Sequence, residues 1–254
     1  MRLAIILKSL TEYMPVDYRR VFVSILKNAF SSVGEDVYNE LYGKPRVKPF
    51  TFSVYFNKVR FPENSSEIVL EGKREIHLFF STFKYKTGIQ FYNGLLKAGK
   101  AYTGLPIFDY QSGKARLQLM GVKLRRERII KGNSVVFRIL SPVVVRKHQK
   151  NNIDKYITID DGIDVLESQL NVNMEPVFKE FLGEKMYLKI EPYGDGLKTI
   201  PVKITDGKGN TGIIKGNIGM LKISAPEEAL RFIYQSGIGA RRSYGFGMLE
   251  VIDE

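Results

Sequence analysis

The chain has no cysteine, only two histidines (His77 and His148), and 27 acidic residues against 39 basic ones. Each shortage excludes something. Without cysteine there is neither a disulfide nor a thiolate metal site. Two histidines nearly exclude a multi-histidine metal centre, so neither metal nor cofactor is expected. No apolar run approaches the roughly 20 residues of a membrane span. The apolar start from Leu3 to Leu7 is too short for a secretory signal and is ended by Lys8. A cytoplasmic protein without a membrane partner is expected. The shortage of acid leaves a formal net charge of +12 over 254 residues, which favours a polyanionic partner. A hydrophobic share of 44% is enough for one large or two small cores.

Glycine is where the chain is rich. Gly237-Ile238-Gly239 and Gly245-Phe246-Gly247 flank Ala240-Arg241-Arg242-Ser243-Tyr244. Such a loop can turn consecutive backbone N–H groups toward an anion, and Arg241 and Arg242 add forked donors suited to phosphate. The alternative is a glycine-rich turn without a ligand. A helix precedes the loop: Ser224 is its expected cap with Glu227 completing a capping box, Pro226 suits its first turn, and Gly237 ends it. A strand follows over 248–252. The order helix, loop, strand is neither a Walker loop nor a dinucleotide fingerprint, both of which open a helix.

Upstream, 2–9 alternates as a strand and 16–33 has one apolar stripe, Phe22, Ile25, Leu26, Ala29 and Val33, of a helix. A short helix over 35–42 ends at Gly43 and Pro45. Strands are expected over 48–56 and 75–83 as a hairpin, with a turn over 64–72. A helix over 87–98 would bury Ile89, Tyr92, Leu95 and Leu96. The strand over 115–127 switches its apolar parity at Gly121, the mark of a bulge. This β-α-β-β-α-β order is that of a ferredoxin-like fold. The second half repeats it less clearly: a strand over 135–146 broken by Pro142, helical pattern over 164–181, strands over 185–191 and 199–204 around Gly194-Asp195-Gly196, and extended glycine-rich chain over 210–222. The fold class is therefore α+β, two tandem ferredoxin-like domains, 1–131 and 132–254.

Basic residues cluster twice. Lys123, Arg125, Arg126 and Arg128 crowd one stretch, the first two on one strand face and the others on the opposite one, a pattern that follows an RNA backbone or lines a solvated face. Lys44, Arg46, Lys48 and Arg60 surround the first hairpin. Tyr42 and Tyr244 are candidates to stack unpaired bases. His77 is expected to pack beside Phe79, and His148 to lie in a solvated loop.

The G-h-G-x5-G-h-G pattern near the C-terminus, with Lys48-Pro49-Phe50-Thr51-Phe52-Ser53 and Ser141-Pro142-Val143-Val144-Val145, resembles the RAMP superfamily of RNA-binding proteins. Within it the chain is most similar to CRISPR-associated family six, endoribonucleases that cut precursor CRISPR RNA within each repeat. The resemblance implies metal-independent cleavage. The ribose 2′-hydroxyl attacks its own 3′-phosphate, giving 2′,3′-cyclic phosphate and 5′-hydroxyl ends. In the family a histidine and a tyrosine near the first helix and a lysine before the F-T-[FY]-S strand commonly do this work. The lysine position matches Lys48, the histidine position falls on Tyr42, and the tyrosine position on Lys27. The implied catalytic set is Lys48, Tyr42 and Lys27, with two departures from the usual pattern. RNA binding is assigned to Gly237, Gly239, Arg241, Arg242, Ser243, Gly245 and Gly247, and to Lys123, Arg125, Arg126 and Arg128. The implied partner is CRISPR repeat RNA. A non-catalytic repeat-binding protein or a RAMP subunit of a CRISPR effector complex is the alternative, and monomer and homodimer both stay open.

Overall fold

Alternating burial makes Arg2–Ser9 a strand, β1, with Leu3, Ile5 and Leu7 fully inside. The computed structural model describes residues 1–63, 65–98, 106–111, 113–149, 154–205 and 211–253. They form two units: Met1–Lys48 with Ser53–Arg126, and Pro49–Phe52 with Glu127–Glu254. No helix among the described residues is long and apolar enough to cross a membrane.

In the first unit β1 is followed by β2 (Tyr13–Pro15), α1 (Arg19–Val33), α2 (Glu35–Tyr42), β3 (Phe50–Phe56, whose first three residues count with the second unit), β4 (Val59–Arg60), β5 (Glu67–Leu70), β6 (Glu75–Thr82), α3 (Tyr85–Ala98), β7 (Ile107–Tyr110) and β8 (Ala115–Arg125). The main sheet has the order β3-β6-β1-β8-β7, with β1 antiparallel to both β6 and β8. Leaving out the edge strand β7, the second, third, first and fourth strands stand side by side, the ferredoxin-like order. The connection from β3 to β6 holds more than the expected turn. Its β4 and β5 pair with each other and with β2 as a small separate sheet; Asn64 of that stretch lies outside the described residues. The bulge of β8 is where parity placed it: Ile6 faces Gly121 while Leu7 faces Leu119.

Helix α3 corrects the sequence reading. Leu95 is buried as expected, but Ile89, Tyr92 and Leu96 are exposed, and the rest of the inward face is Thr87, Gly88, Phe91 and Gly94. The cause is a close crossing with α1. A Cβ on Gly94 would run into the carbonyl oxygen of Ala29, and the Ser32 hydroxyl donates to the Gly94 carbonyl at 3.0 Å. Phe91 then packs on Phe30 and Phe80, with centroids 5.6 and 4.4 Å away.

The second unit holds β9 (Ser134–Ile139), β10 (Val145–His148), β11 (Asp154–Ile157), α4 (Ile163–Leu182), β12 (Lys189–Thr205), β13 (Thr211–Ser224), α5 (Glu227–Ser236) and β14 (Leu249–Asp253). Its sheet order is β12-β13-β9-β14, again second, third, first, fourth. The chain is thus α+β, with two tandem ferredoxin-like folds. The expected strand over 135–146 is two strands, since β9 ends before Pro142 and β10 pairs with β11 instead. The two expected strands around Gly194-Asp195-Gly196 are one strand, β12, whose pairing with β13 shifts register between Pro192 and Leu197. Residue 210, at the start of the expected extended stretch, lies outside the described residues. The capping box at α5 does not form: Pro226 is the capping residue, and the Ser224 hydroxyl bonds Ser134 at 3.2 Å.

Candidate nucleic-acid interface

The three residues expected to be catalytic come together. Lys27 lies on the outward face of α1, Gly34 turns the chain into α2, and Tyr42 is the last residue of that helix. Lys48 follows just before β3. The Lys27 ammonium stands 5.3 Å from the centre of the Tyr42 ring and that of Lys48 4.9 Å. Among the described residues neither lysine has a carboxylate partner. Partial burial, then the charges of Lys27 and Arg46, holds the Lys48 ammonium below the usual lysine range. The sequence shows Arg46 only as one more charge; its proximity to Lys48 depends on the turn over 43–47.

Tyr42 departs from its expected role. Its ring stacks on Tyr38 at 5.4 Å, and its hydroxyl is buried without a hydrogen-bond partner among the described residues. Burial, reinforced by Tyr38, pushes its pKa above the usual tyrosine value, so it keeps its proton. The residue at the histidine position is not placed to exchange protons, nor exposed to stack a base. Its ring instead lies under two ammonium groups, a cation–π arrangement. Tyr244 is not exposed either: it packs on a core of Val144, Val202, Ile214 and Phe246.

The glycine loop is built differently from an open amide cradle. Its N–H groups bond mostly within the protein: Gly237 to Ile233, Ile238 to Gly247, Ala240 to Val144, Tyr244 to Arg241, Gly245 to Arg242 and Gly247 to Pro142, all to carbonyl oxygens at 2.7–3.0 Å. Positive φ and close approach both require Gly247: its φ is +70°, and a Cβ would run into the Ile238 carbonyl oxygen. The Phe50-Thr51-Phe52 stretch braces the loop. The Thr51 hydroxyl donates to the Phe246 carbonyl at 2.7 Å, and the Phe52 ring lies where a Cβ of Gly245 would stand. From the S-P stretch, the Ser141 hydroxyl accepts the Met248 N–H at 2.9 Å. The motifs of the sequence are thus parts of one braid.

Its two arginines separate. Arg242 is buried, donates to the Ser236 carbonyl at 3.2 Å and lies 5.9 Å from the Phe232 ring centre; burial lowers its pKa to about 10. It fastens the loop rather than presenting a fork to a ligand. Arg241 is half-exposed in a left-handed conformation, φ +58°, with Nη2 3.4 Å from the Tyr156 hydroxyl and Nε buried without a partner among the described residues. Ser243 is half-buried in the single turn Arg242–Tyr244. Tyr156, on the hairpin strand β11, has no signal in the sequence that ties it to Arg241.

Lys123 and Arg125 belong to β8, as expected, but Arg126 and Arg128 lie past its end and share no strand face. Lys123, Arg126 and Arg128 are exposed and Arg125 is half-buried. Arg60 is engaged by Glu71 at 3.3 Å. His77 Nε2 donates to the Glu75 carboxylate at 2.7 Å, and His148 is on β10 rather than in a loop, 2.8 Å from Asp154.

Comparison with known proteins agrees with this architecture. Residues 125–251 match the family model for the C-terminal part of CRISPR associated protein Cas6. No curated protein matches the chain in sequence. The fold is similar to that of an RAMP protein binding different RNA substrates, at 22% identity and a TM-score of 0.78 over 100% of both chains. It is similar to a Cas6-related protein from Pyrococcus furiosus at 21% identity and a TM-score of 0.78, over 100% of this chain and 99% of that one. A Cas6 product complex matches at 20% identity and a TM-score of 0.62, over 99% of this chain and 100% of the other.

Proposed function

The chain belongs to the CRISPR-associated Cas6 family, and from that premise we propose that it is a metal-independent endoribonuclease that cuts precursor CRISPR RNA within its repeats. The observation that carries the reading is the pair of ammonium groups, Lys27 and Lys48, held over one tyrosine ring without a carboxylate partner among the described residues. Two unneutralised cations at one point attract a phosphate. A structurally similar RAMP protein binds RNA substrates, which supports RNA as the source of that phosphate.

Cleavage forms a bond between the ribose 2′-oxygen and phosphorus and breaks the bond from phosphorus to the 5′-oxygen. The 2′-hydroxyl loses its proton to solvent water and the 5′-oxygen gains one. Charge on the phosphoryl oxygens grows toward the pentavalent state, so a cation fixed there stabilises that state more than the ground state. Lys48 takes this role, with Lys27 beside it. The lowered pKa of Lys48 also makes it a better proton donor to the 5′-oxygen than an ordinary lysine. Tyr42 positions both ammonium groups through its ring and transfers no proton. Arg241, on the glycine loop, is the loop's contact to the RNA backbone.

The test is incubation with the repeat RNA in EDTA, followed by end-group analysis. Cutting at a fixed position with 2′,3′-cyclic phosphate and 5′-hydroxyl ends is expected. Replacing Lys48 by alanine should slow single-turnover cleavage by about 100- to 1,000-fold, the scale of losing one transition-state donor, with a smaller loss of affinity. One observation favours a second reading, repeat-RNA binding without cleavage, alone or as a subunit of an effector complex: the hydroxyl at the family's histidine position is buried and holds its proton. RNA retained but uncut in the same assay would select that reading.

A further inference from the structure

In the first unit, Leu3, Ile5, Leu7, Ile76, Leu78 and Phe80 form the sheet face buried under the helices, Phe80 touching Phe91 of α3. The alternate residues face the other way. On β6 these are Glu75, His77 and Phe79, and β3 adds Tyr55, which is 56% exposed. The rings form a row: Tyr55 to His77 with centroids 6.1 Å apart, and His77 to Phe79 at 6.2 Å with planes 18° apart. The next strand, β1, puts Ala4 opposite Phe79 and Ile6 opposite His77, both half-buried, with the buried Arg2 and the exposed Lys8 at the two ends of the same face. Beyond it, Lys123 of β8 is opposite Ala4, and Arg125 reaches back to place its guanidinium 5.1 Å from the Phe79 ring centre. An aromatic row and a cationic row thus flank a shallow floor. Of the acids on this face, Glu75 is bonded to His77 and stands opposite Lys8, and Asp109 of the edge strand β7 is paired with Arg116 at 3.8 Å.

We propose that this face is a second RNA site, a platform on which unpaired bases stack on Phe79, His77 and Tyr55 while Lys123 and Arg125 meet the adjoining phosphates. Bases offer π faces and phosphates offer charge at a fixed spacing along the strand, and ferredoxin-like sheets suit that pairing because their open face is flat. Double-stranded RNA could not use it, since its bases are stacked on one another and unavailable to the rings. The proposal rests on the RNA reading above but not on cleavage, and it asks nothing of Lys27, Tyr42 or Lys48. Sequence selectivity should be slight, since stacking accepts any base.

The experiment compares binding of a short uridine RNA with that of an abasic strand of equal length, by fluorescence anisotropy at fixed salt. Phe79→Leu combined with Tyr55→Leu keeps apolar bulk and removes the π faces. Affinity for the uridine RNA should fall roughly 5- to 150-fold, while the abasic strand binds as before. Phe79→Tyr should restore binding, and Arg125→Gln should weaken both strands and flatten their salt dependence. Unchanged uridine affinity in the double leucine variant would overturn the proposal while leaving the RNA reading intact. An equal loss on the abasic strand would overturn it too, as the mark of a folding or charge effect. A parental protein that binds neither strand nor repeat RNA would overturn the RNA reading itself, and this proposal with it.

Discussion

Tyr42 shows how far a single position can be read. Aligning motifs put it where the family commonly has histidine, and the structure does bring its ring to 5.3 Å from the Lys27 ammonium and 4.9 Å from that of Lys48. What the sequence could not show is the direction of its hydroxyl, because burial of one oxygen depends on how α2 packs. A buried hydroxyl without a hydrogen bond costs about 1–3 kcal/mol. Tyr42→Phe should therefore raise the free energy of unfolding by roughly 1 kcal/mol in urea titrations and leave the cleavage rate unchanged; a rate falling with affinity intact would return the hydroxyl to the chemistry. Lys48 makes a prediction of opposite character. Its pKa is lowered in the fold, so between that value and the ordinary lysine value the unfolded chain binds more protons. Stability should rise with pH through that window, and at neutral pH the charged lysine is a cost. Lys48→Met should flatten the alkaline rise and stabilise the protein at neutral pH, measured as urea midpoints at both ends of the window.

Elements were legible where period and local chemistry agree, and misread where a neighbour decides. The bulge in β8 followed from a parity switch within one strand, and β1 and α1 from clean apolar periods. The apolar pattern of α3 marks a helix but not its buried face, because the large residues Ile89 and Leu96 outweigh Gly88 and Gly94 on any apolar count. Small residues mark a contact only once the partner backbone is known. Gly94→Ala tests this reading. On an exposed helix the change would stabilise by about 1 kcal/mol through propensity. Here the added methyl meets the Ala29 carbonyl, backbone that cannot swing aside. A net destabilisation of about 1–3 kcal/mol is expected, with a lowered urea midpoint. A stabilised variant would show that α1 and α3 have room to separate.

At the scale of the molecule, the two sheets share one strand order although no residue-level repeat links the halves. Element order announces that much, while the added strands β2, β4, β5, β7, β10 and β11 carry no long period and were mostly invisible. The glycine loop was legible as a motif but not as a mechanism. Its amides turn inward onto Pro142, Val144 and each other, and one of its arginines is structural. This matters for how the charge of +12 acts on RNA. Binding to a single strand weakens with salt in proportion to the phosphates neutralised, about 0.7 in logarithmic slope for each. A cation contributes to that slope only if it can reach a phosphate. Arg241→Ala should therefore reduce the slope for repeat RNA by roughly 0.7 at unchanged thermal stability. Arg242→Ala should do the reverse. It leaves the Ser236 carbonyl without its donor inside the loop, so melting temperature should fall while RNA bound by the remaining folded protein keeps the parental slope. Equal slope losses in the two variants would mean that Arg242 leaves its buried position when RNA binds.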